Sequence, residues 1–503
     1  MLYLGIDAGT TALKVGLFDE RGIARAIVSE EYTLITPSAD QVEFDPENYW
    51  RACVRVVRRA IAQANAQREE IVALTVSSQG QTTIAVDEQG RALRPALVWL
   101  DNRASEAARK IAAHFDPRDV YAATGNSDVV PMWTACKILW LKENEPDIFR
   151  RAFKFLLVED FLLYRLSGRF ATDGAIACSS LLWDARHGKW WDEMLAFLEI
   201  TPERLAEPVL PGGIVGTLKR ESAELLGLSP NTLVIAGGVD LTAGAVGAGN
   251  IRSGIVSEST GGSLAILATV STHDLDPTRK LSVNVHVVPA AFLFVAVCST
   301  GGMALRWFRD QFAQEEIAKA REQDRDAYQL LDELAASVAP GCEGLTMLPH
   351  LMGASSPENN VNARGVFYGF TLRHTKAHFV RAVLEANAFM LKRNLDLMTS
   401  VGVAVRQVFS TGGGAKSALW CQIKADVIGM PIVLLAQPET TILGDAILAA
   451  VASGAYRNLD EACANMVRTQ GQIEPNLANQ VIYNEAYARY CALYDQLADL
   501  FRQ

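Results

Sequence analysis

The amino-acid sequence predicts an α/β protein of two domains, and three observations carry that prediction. The chain has 503 residues, where a typical domain holds roughly 100–200. Its first hundred residues alternate short apolar runs with turn residues in the order hairpin, strand, helix, strand, and its second half repeats that order in outline. Hydrophobic residues make up 50% and charged residues 21%, the balance of a globular protein and not of a disordered or collagen-like one.

Each element follows from a local pattern. An apolar run over 2–6 gives the first strand. Asp7-Ala8-Gly9-Thr10-Thr11 turns the chain into a second strand over 12–18, and Asp19-Glu20-Arg21-Gly22 turns it into a third over 23–28, completing a β-meander. Asp45-Pro46 has the form of an N-cap followed by proline at the first helical position, so a helix should run from there to about residue 67. Strands are expected at 71–77, at 83–86 and, after the turn Asp87-Glu88-Gln89-Gly90, at 96–99, which delivers Asp101 to a strand end. Meander, helix and strand open a ribonuclease-H-like domain, though other α/β folds share that pattern. The second half offers a hairpin over 255–268, a strand at 292–297, a helix at about 376–399 and a strand at 407–410. The small residues Ala243-Gly244-Ala245-Val246-Gly247 put the boundary near Ala248, giving domains 1–247 and 248–503. No short-period repeat is present.

Formal net charge is -10, from 47 Lys plus Arg against 57 Asp plus Glu. The two signs are interspersed, which argues against a nucleic-acid partner. The longest apolar stretches, 291–297 and 442–451, fall short of the roughly 20 residues a spanning helix needs, so no membrane insertion is expected. The N-terminus meets Asp7 without a basic segment and a long apolar region, the pattern of a cytoplasmic protein. Eight scattered cysteines form no C-x-x-C pair and are expected as reduced thiols.

Phosphoryl transfer requires donors around phosphates, a carboxylate for hydrated magnesium and a base aimed at the acceptor oxygen. In Asp7-Ala8-Gly9-Thr10-Thr11 a strand-end carboxylate precedes a turn whose amides and hydroxyls can face an anion, although such turns also serve only to join strands. Ser259-Thr260-Gly261-Gly262-Ser263 repeats this equipment at a hairpin apex in the second half, so the pair could clamp a triphosphate from both sides of an interdomain cleft. Thr411-Gly412-Gly413-Gly414-Ala415-Lys416-Ser417 joins a strand to a helix; it lacks the G-x-x-x-x-G-K-[ST] spacing of a P-loop, which favours an adenosine contact. Gly237-Gly238-Val239-Asp240 puts a carboxylate where a strand ends before a helix of tiny residues, as a general base or merely a helix cap. Asp101, in Trp99-Leu100-Asp101-Asn102-Arg103, is a third strand-end carboxylate whose plain alternative is an ion pair with Arg103. The histidines form no triad or zinc-like set, and Trp133, Trp140, Trp183 and Trp190 are assigned to packing.

Asp7 to Thr11, Gly237 to Asp240 and Thr411 to Ala415 occur in the order found in FGGY carbohydrate kinases, and the chain resembles that family over nearly its whole length. Met132 to Asn144 resembles the first family signature, and Gly365 to Phe370 running through His378 to Glu385 resembles the second. The resemblance implies two ribonuclease-H-like domains of the actin and hexokinase superfamily closing over ATP and Mg2+. It implies Asp7 at the metal, Gly9, Thr10 and Thr11 at the phosphates with Thr260, Gly261 and Gly262 opposite, Gly412, Gly413 and Gly414 on the adenosine side, and Asp240 as base. Where xylulose kinases usually carry Met-His and glycerol kinases Arg-Glu, this chain has Ser78-Gln79-Gly80-Gln81-Thr82. Gln81 and Asp101, with Asp240, are the expected acceptor contacts. The implied activity is phosphorylation of a small sugar, a ketopentose such as xylulose, or alternatively a polyol such as glycerol, a tetritol or a pentitol. A homodimer is the family-level expectation. A nucleotide-dependent switch, as in actin or chaperones of the same fold, is the reading from another class.

Overall fold

The computed structural model describes residues 1–273 and 276–502, and each half of the chain carries one large mixed sheet. The first comprises β1 (Leu2–Ala8), β2 (Ala12–Asp19), β3 (Ala24–Glu31), β4 (Ile71–Ser78), β5 (Ile214–Thr217) and β6 (Leu233–Val239), in the order β5-β6-β4-β1-β2-β3. β1, β2 and β3 form the expected meander, while β4 and β6 extend it in parallel and β5 closes the edge antiparallel. Tyr3, Leu4 and Ile6 of β1 are wholly buried, because packed side chains cover both faces of this central strand. α1 (Pro46–Ala64) lays Tyr49, Val56 and Val57 on one face. Asp45 caps it by accepting the Glu47 N–H at 3.0 Å, and Pro46 follows, as the sequence predicts.

Between β4 and β6 the chain inserts an α-rich lobe with its own core of Trp133, Ile138, Trp183 and Met194, to which α2 (Thr134–Asn144) belongs. α3 (Val158–Ser167) returns the chain to the first sheet through Phe161, Leu162 and Leu166. α4 (Asp240–Gly247) starts directly where β6 ends.

The second sheet comprises β7 (Ile255–Thr260), β8 (Leu264–Val270), β9 (Ser282–Val285), β10 (Phe292–Cys298), β11 (Gln407–Thr411), β12 (Ile432–Leu435) and β13 (Thr469–Ile473), in the order β9-β10-β8-β7-β11-β12-β13. β7, β8 and β10 form a meander, β11 and β12 run parallel to β7, and β13 is the antiparallel edge. The strand order and directions are those of the first sheet with one added edge strand, except that β13 follows its neighbour β12 in the chain where β5 precedes β6. α5 (Gly302–Phe312), α6 (Ala327–Ala336), α7 (Lys376–Ser400), α8 (Ala418–Ile428) and α9 (Thr440–Ala452) complete the elements that shape the site. α7, expected at 376–399, is buried along most of its length in the second core.

α9 crosses back onto the first sheet, where Ile442, Leu443, Ala446 and Ile447 share a core with Tyr3, Phe18, Ala73 and Ile235. Glycines permit the approach. A Cβ on Gly5 would lie 2.3 Å from the Ile442 carbonyl oxygen. Where α4 and α9 cross, a Cβ on Gly247 would lie 1.8 Å from the Thr440 carbonyl oxygen, and one on Gly444 would lie 1.8 Å from that of Ala243.

Several expectations change, and β5, β9 and β12 are strands that the sequence did not lead us to expect. The strand at 96–99 shrinks to Ala96–Leu97, because the Trp99 N–H donates to the Thr82 hydroxyl at 3.1 Å and leaves the ladder. β13 was not expected, since Thr469 to Gln472 are exposed and give no apolar alternation. All eight cysteines are free thiols, seven of them buried. Among the described residues no helix is long and apolar enough to cross a membrane.

Candidate active site

The site is built from what the equivalent strand ends of the two sheets carry. At the end of β1 the turn from Asp7 to Thr11 is braced on several sides. The Gly9 N–H donates to the Ala12 carbonyl at 3.0 Å, the Tyr32 hydroxyl donates to the Gly9 carbonyl, and the Trp99 indole donates to the Thr10 hydroxyl at 2.8 Å. Gln79, at the end of β4, donates its N–H to the Ala8 carbonyl at 3.0 Å. The turn is thus a rigid rim of backbone groups, with Thr11 exposed at its tip.

Asp240 is aimed by an irregularity in β6. Ala236 pairs with Val76 and Val239 with Ser78, so Gly237 and Gly238 together face Ser77 alone. Such a bulge turns the following side chains away from the ladder, and Gly238 accommodates it with φ +79°. The two bulged N–H groups are both taken by Glu159 Oε1, at 2.7 Å from Gly237 and 3.0 Å from Gly238. Asp240 Oδ1 accepts the Leu241 N–H at 2.7 Å.

In the second half the β7–β8 turn leaves Gly261 and Gly262 exposed. The Thr260 hydroxyl is committed elsewhere: it donates to Glu258 Oε2 at 2.8 Å and accepts from Lys424 Nζ at 2.8 Å, within a fully buried ion pair. Gly412 and Gly414 lie directly against Thr260, where a Cβ would fall 2.9 Å from its carbonyl oxygen and 2.7 Å from its Cβ respectively. The N-terminus of α5 docks on the same turn, with Gly302 N–H donating to the Gly261 carbonyl and Gly301 N–H to that of Gly262, both at 2.8 Å. Gly301-Gly302 was missed in the sequence, although Ser299-Thr300-Gly301-Gly302 at a strand end has the same form as Thr411-Gly412-Gly413. These turns border a cavity of about 470 Å³ walled by Arg306, Tyr328, Gln329, Asp332 and Trp420, a size suited to a nucleoside.

A second cavity of about 320 Å³ lies between the halves, lined by Gln81, Asn126, Asp128, Trp133, Ser179 and Leu241 from the first and by Asn284, Ser355 and Asn359 from the second. Its many amides and hydroxyls match a polyhydroxylated molecule. Gln81 holds φ +61°, and its carbonyl accepts from buried Lys137 at 2.9 Å and Thr134 at 3.3 Å. Burial pushes Lys137 down to about 7. Gly80 makes room for Ser179, whose Oγ would lie 2.5 Å from a Cβ there. Trp133 donates its indole N–H to the Asp128 carbonyl at 2.8 Å and lines the cavity, beyond the packing role expected of it.

Asp101 needs correction as an acceptor contact. It is fully buried and outside the lining of either cavity. The Val42 N–H meets its Oδ2 at 2.6 Å, and the Arg103 guanidinium brackets both oxygens at 2.8–3.0 Å. It fixes the loop that carries Trp99, and the ion-pair alternative holds.

Asp7, Asp240 and Asp445 form a carboxylate cluster at the centre. Burial, then the neighbouring Asp240 charge, push Asp7 up to about 8, and burial pushes Asp240 up to about 6. Asp445, from α9, accepts the Ser77 hydroxyl at 2.8 Å, yet burial holds it well above the usual carboxylate range. Lys14, the cation that acts on Asp7, is itself paired with Glu439 at 2.7 Å. Asp7 Oδ1 is buried without a hydrogen-bond partner. An orphaned oxygen in a group of carboxyls that resist ionising together fits a hard divalent cation, whose charge would let them ionise. Among the described residues no three His, Cys, Asp or Glu side chains are arranged to enclose a metal. Such an ion would therefore take most of its ligands from water and phosphate, as magnesium does.

Family models for the N-terminal and C-terminal domains of FGGY carbohydrate kinases match residues 2–247 and 258–453. A xylulose kinase of Staphylococcus epidermidis is 30% identical over 501 residues, 99% of this chain and 97% of its own. A gluconokinase of Bacillus subtilis is 30% identical over 92% of this chain and 90% of its own. The crystal structure of xylulose kinase from Rhodospirillum rubrum superposes with a TM-score of 0.90 at 28% identity, covering 100% of both chains. The chain belongs to the FGGY family of carbohydrate kinases, with the two-domain actin- and hexokinase-like fold of that family, and it uses ATP to phosphorylate a small carbohydrate.

Proposed function

We propose that the acceptor is a ketopentose, with xylulose the leading candidate, and that Asp240 is the base. Supporting the sugar are the full-length similarity to proteins named xylulose kinase and a 320 Å³ cavity lined by amides and hydroxyls. The single observation that carries the base role is the bulge at Gly237-Gly238, after which Asp240 stands at the end of β6, next in sequence to Leu241 of the acceptor cavity. Asp240 takes the proton of the acceptor hydroxyl, whose oxygen attacks the γ-phosphorus as the bond to the β-phosphate oxygen breaks and ADP departs. The turns at Gly9 to Thr11 and Gly261-Gly262 hold the phosphates from opposite sides. Mg2+ held beside Asp7 would neutralise phosphate charge. The same family-level reading carries a cytoplasmic location and a homodimer.

The test is ADP release across ketopentoses, pentitols, tetritols, glycerol and gluconate, with wild type and Asp240→Asn side by side. One strong acceptor is expected, and turnover should drop about 10²-fold or more in a normally folded variant. Near-normal turnover in the variant removes Asp240 from the base role. ATP hydrolysis indifferent to every sugar would instead support the nucleotide switch.

A further inference from the structure

We propose that Glu159 is a positioning residue for Asp240, acting as the side-chain acceptor that holds the β6 bulge in shape. The inference rests on the reading of Asp240 as the base. A strand bulge leaves N–H groups without ladder partners, and a buried unpaired N–H is costly. Here the consecutive N–H groups of Gly237 and Gly238 converge on one oxygen, Glu159 Oε1, at 2.7 and 3.0 Å. Glu159 is fully buried and lies 78 residues upstream of Gly237. Its own N–H donates to the Ser78 hydroxyl at 3.0 Å, at the end of β4, three residues before Gln81, which lines the acceptor cavity. One residue at the start of α3 therefore ties the strand end bearing the base to the strand end bearing an acceptor contact.

The surroundings of Glu159 suit this role. Asp160 accepts the Leu157 N–H at 2.8 Å, and Asp173 accepts the Ala175 and Ile176 N–H groups at 2.7 and 3.1 Å. Each of the three carboxyls keeps one buried oxygen without a partner: Glu159 Oε2, Asp160 Oδ1 and Asp173 Oδ2. Burial, then the charges of Asp173 and Asp160, hold Glu159 well above the usual carboxylate range. Oε1 accepts both bulge N–H groups whatever the charge of the carboxyl. Glutamine has the same shape and the same acceptor, with an NH₂ in place of the second oxygen.

The experiment compares Glu159→Gln, Glu159→Leu and Glu159→Asp with wild type, measuring kcat, KM for both substrates, circular dichroism and thermal midpoint. Glu159→Leu should lose about 10²-fold in kcat, the scale of a misplaced catalytic group, with both KM values within about threefold. Glu159→Gln should recover most of that, to within about fivefold of wild type. A folded Glu159→Leu enzyme with wild-type kcat, a loss confined to KM, or a glutamine variant as impaired as the leucine one would each overturn the proposal. If Glu159→Leu does not fold, Glu159→Asp decides: one methylene shorter, it cannot reach both N–H groups, and kcat kept within about threefold counts against the role. Asp240→Asn, run alongside, separates the two readings. Near-normal turnover there removes the base role, whereas a wild-type Glu159→Leu beside an inactive Asp240→Asn removes only the positioning role.

Discussion

At Asp240, burial and chemistry pull together. A carboxylate pushed up to about 6 is a stronger base than an exposed one and still ionised at neutral pH. Only the deprotonated form accepts the hydroxyl proton, so kcat/KM should fall about tenfold per pH unit below pH 6 and level off above it. A pH profile measured on the preferred sugar checks this; an acid limb near pH 4, the ordinary aspartate range, would mean that burial does not set the base. Asp7 and Asp240 were legible in the sequence because each ends an apolar strand and lies two residues from a glycine. Asp445 was not: it bonds Ser77 from 368 residues away, a relation that no local pattern carries. Glu159 was hidden for the same reason. Asp101 was visible but misassigned, because Asp-x-Arg reads alike for a ligand and for an ion pair.

Among the elements, the strand ends work because something rigid lies beneath them. Under the Gly261-Gly262 turn, Lys424 of α8 pairs with Glu258 of β7 at 2.6 Å, both fully buried, and Ser410 of β11 donates to the same carboxylate. Removing one partner strands the other charge, so Lys424→Met should destabilise the protein by about 3–5 kcal/mol. Replacing both, as Glu258→Leu with Lys424→Met, should recover more than half of that by urea unfolding, since the desolvation cost of the pair then disappears. A double variant no more stable than the single one would show that the pair is favourable in its own right. The two meanders, the strands β4 and β11 and the long helices α1 and α7 were predictable from apolar periodicity and caps: α1 announced itself with Asp45-Pro46, and α7 with its length. The pair itself was not, because a lysine inside an otherwise apolar helix reads as surface until β7 and β11 are placed beside it.

In the whole molecule the two cavities differ in what they ask of the fold. Every residue walling the 470 Å³ cavity proposed for the nucleoside comes from the second half of the chain, whereas the 320 Å³ cavity proposed for the acceptor is divided between the halves. Their relative placement depends on the α4–α9 crossing, where Gly247 and Gly444 let two helix backbones touch. A methyl group at Gly444 would meet the Ala243 carbonyl oxygen at 1.8 Å and force the helices apart, an overpacking that typically costs about 1–3 kcal/mol. Gly444→Ala should accordingly lower the thermal midpoint and raise KM for the sugar about tenfold or lower kcat by a similar factor, since reacting groups held by different halves lose their alignment. Nucleotide affinity, measured calorimetrically without sugar, should stay within about twofold, because its cavity lies on one side of the crossing. Equal losses for nucleotide and sugar would instead mean that the variant disturbs the second half as a unit, and that the crossing does not act specifically on the alignment of the halves.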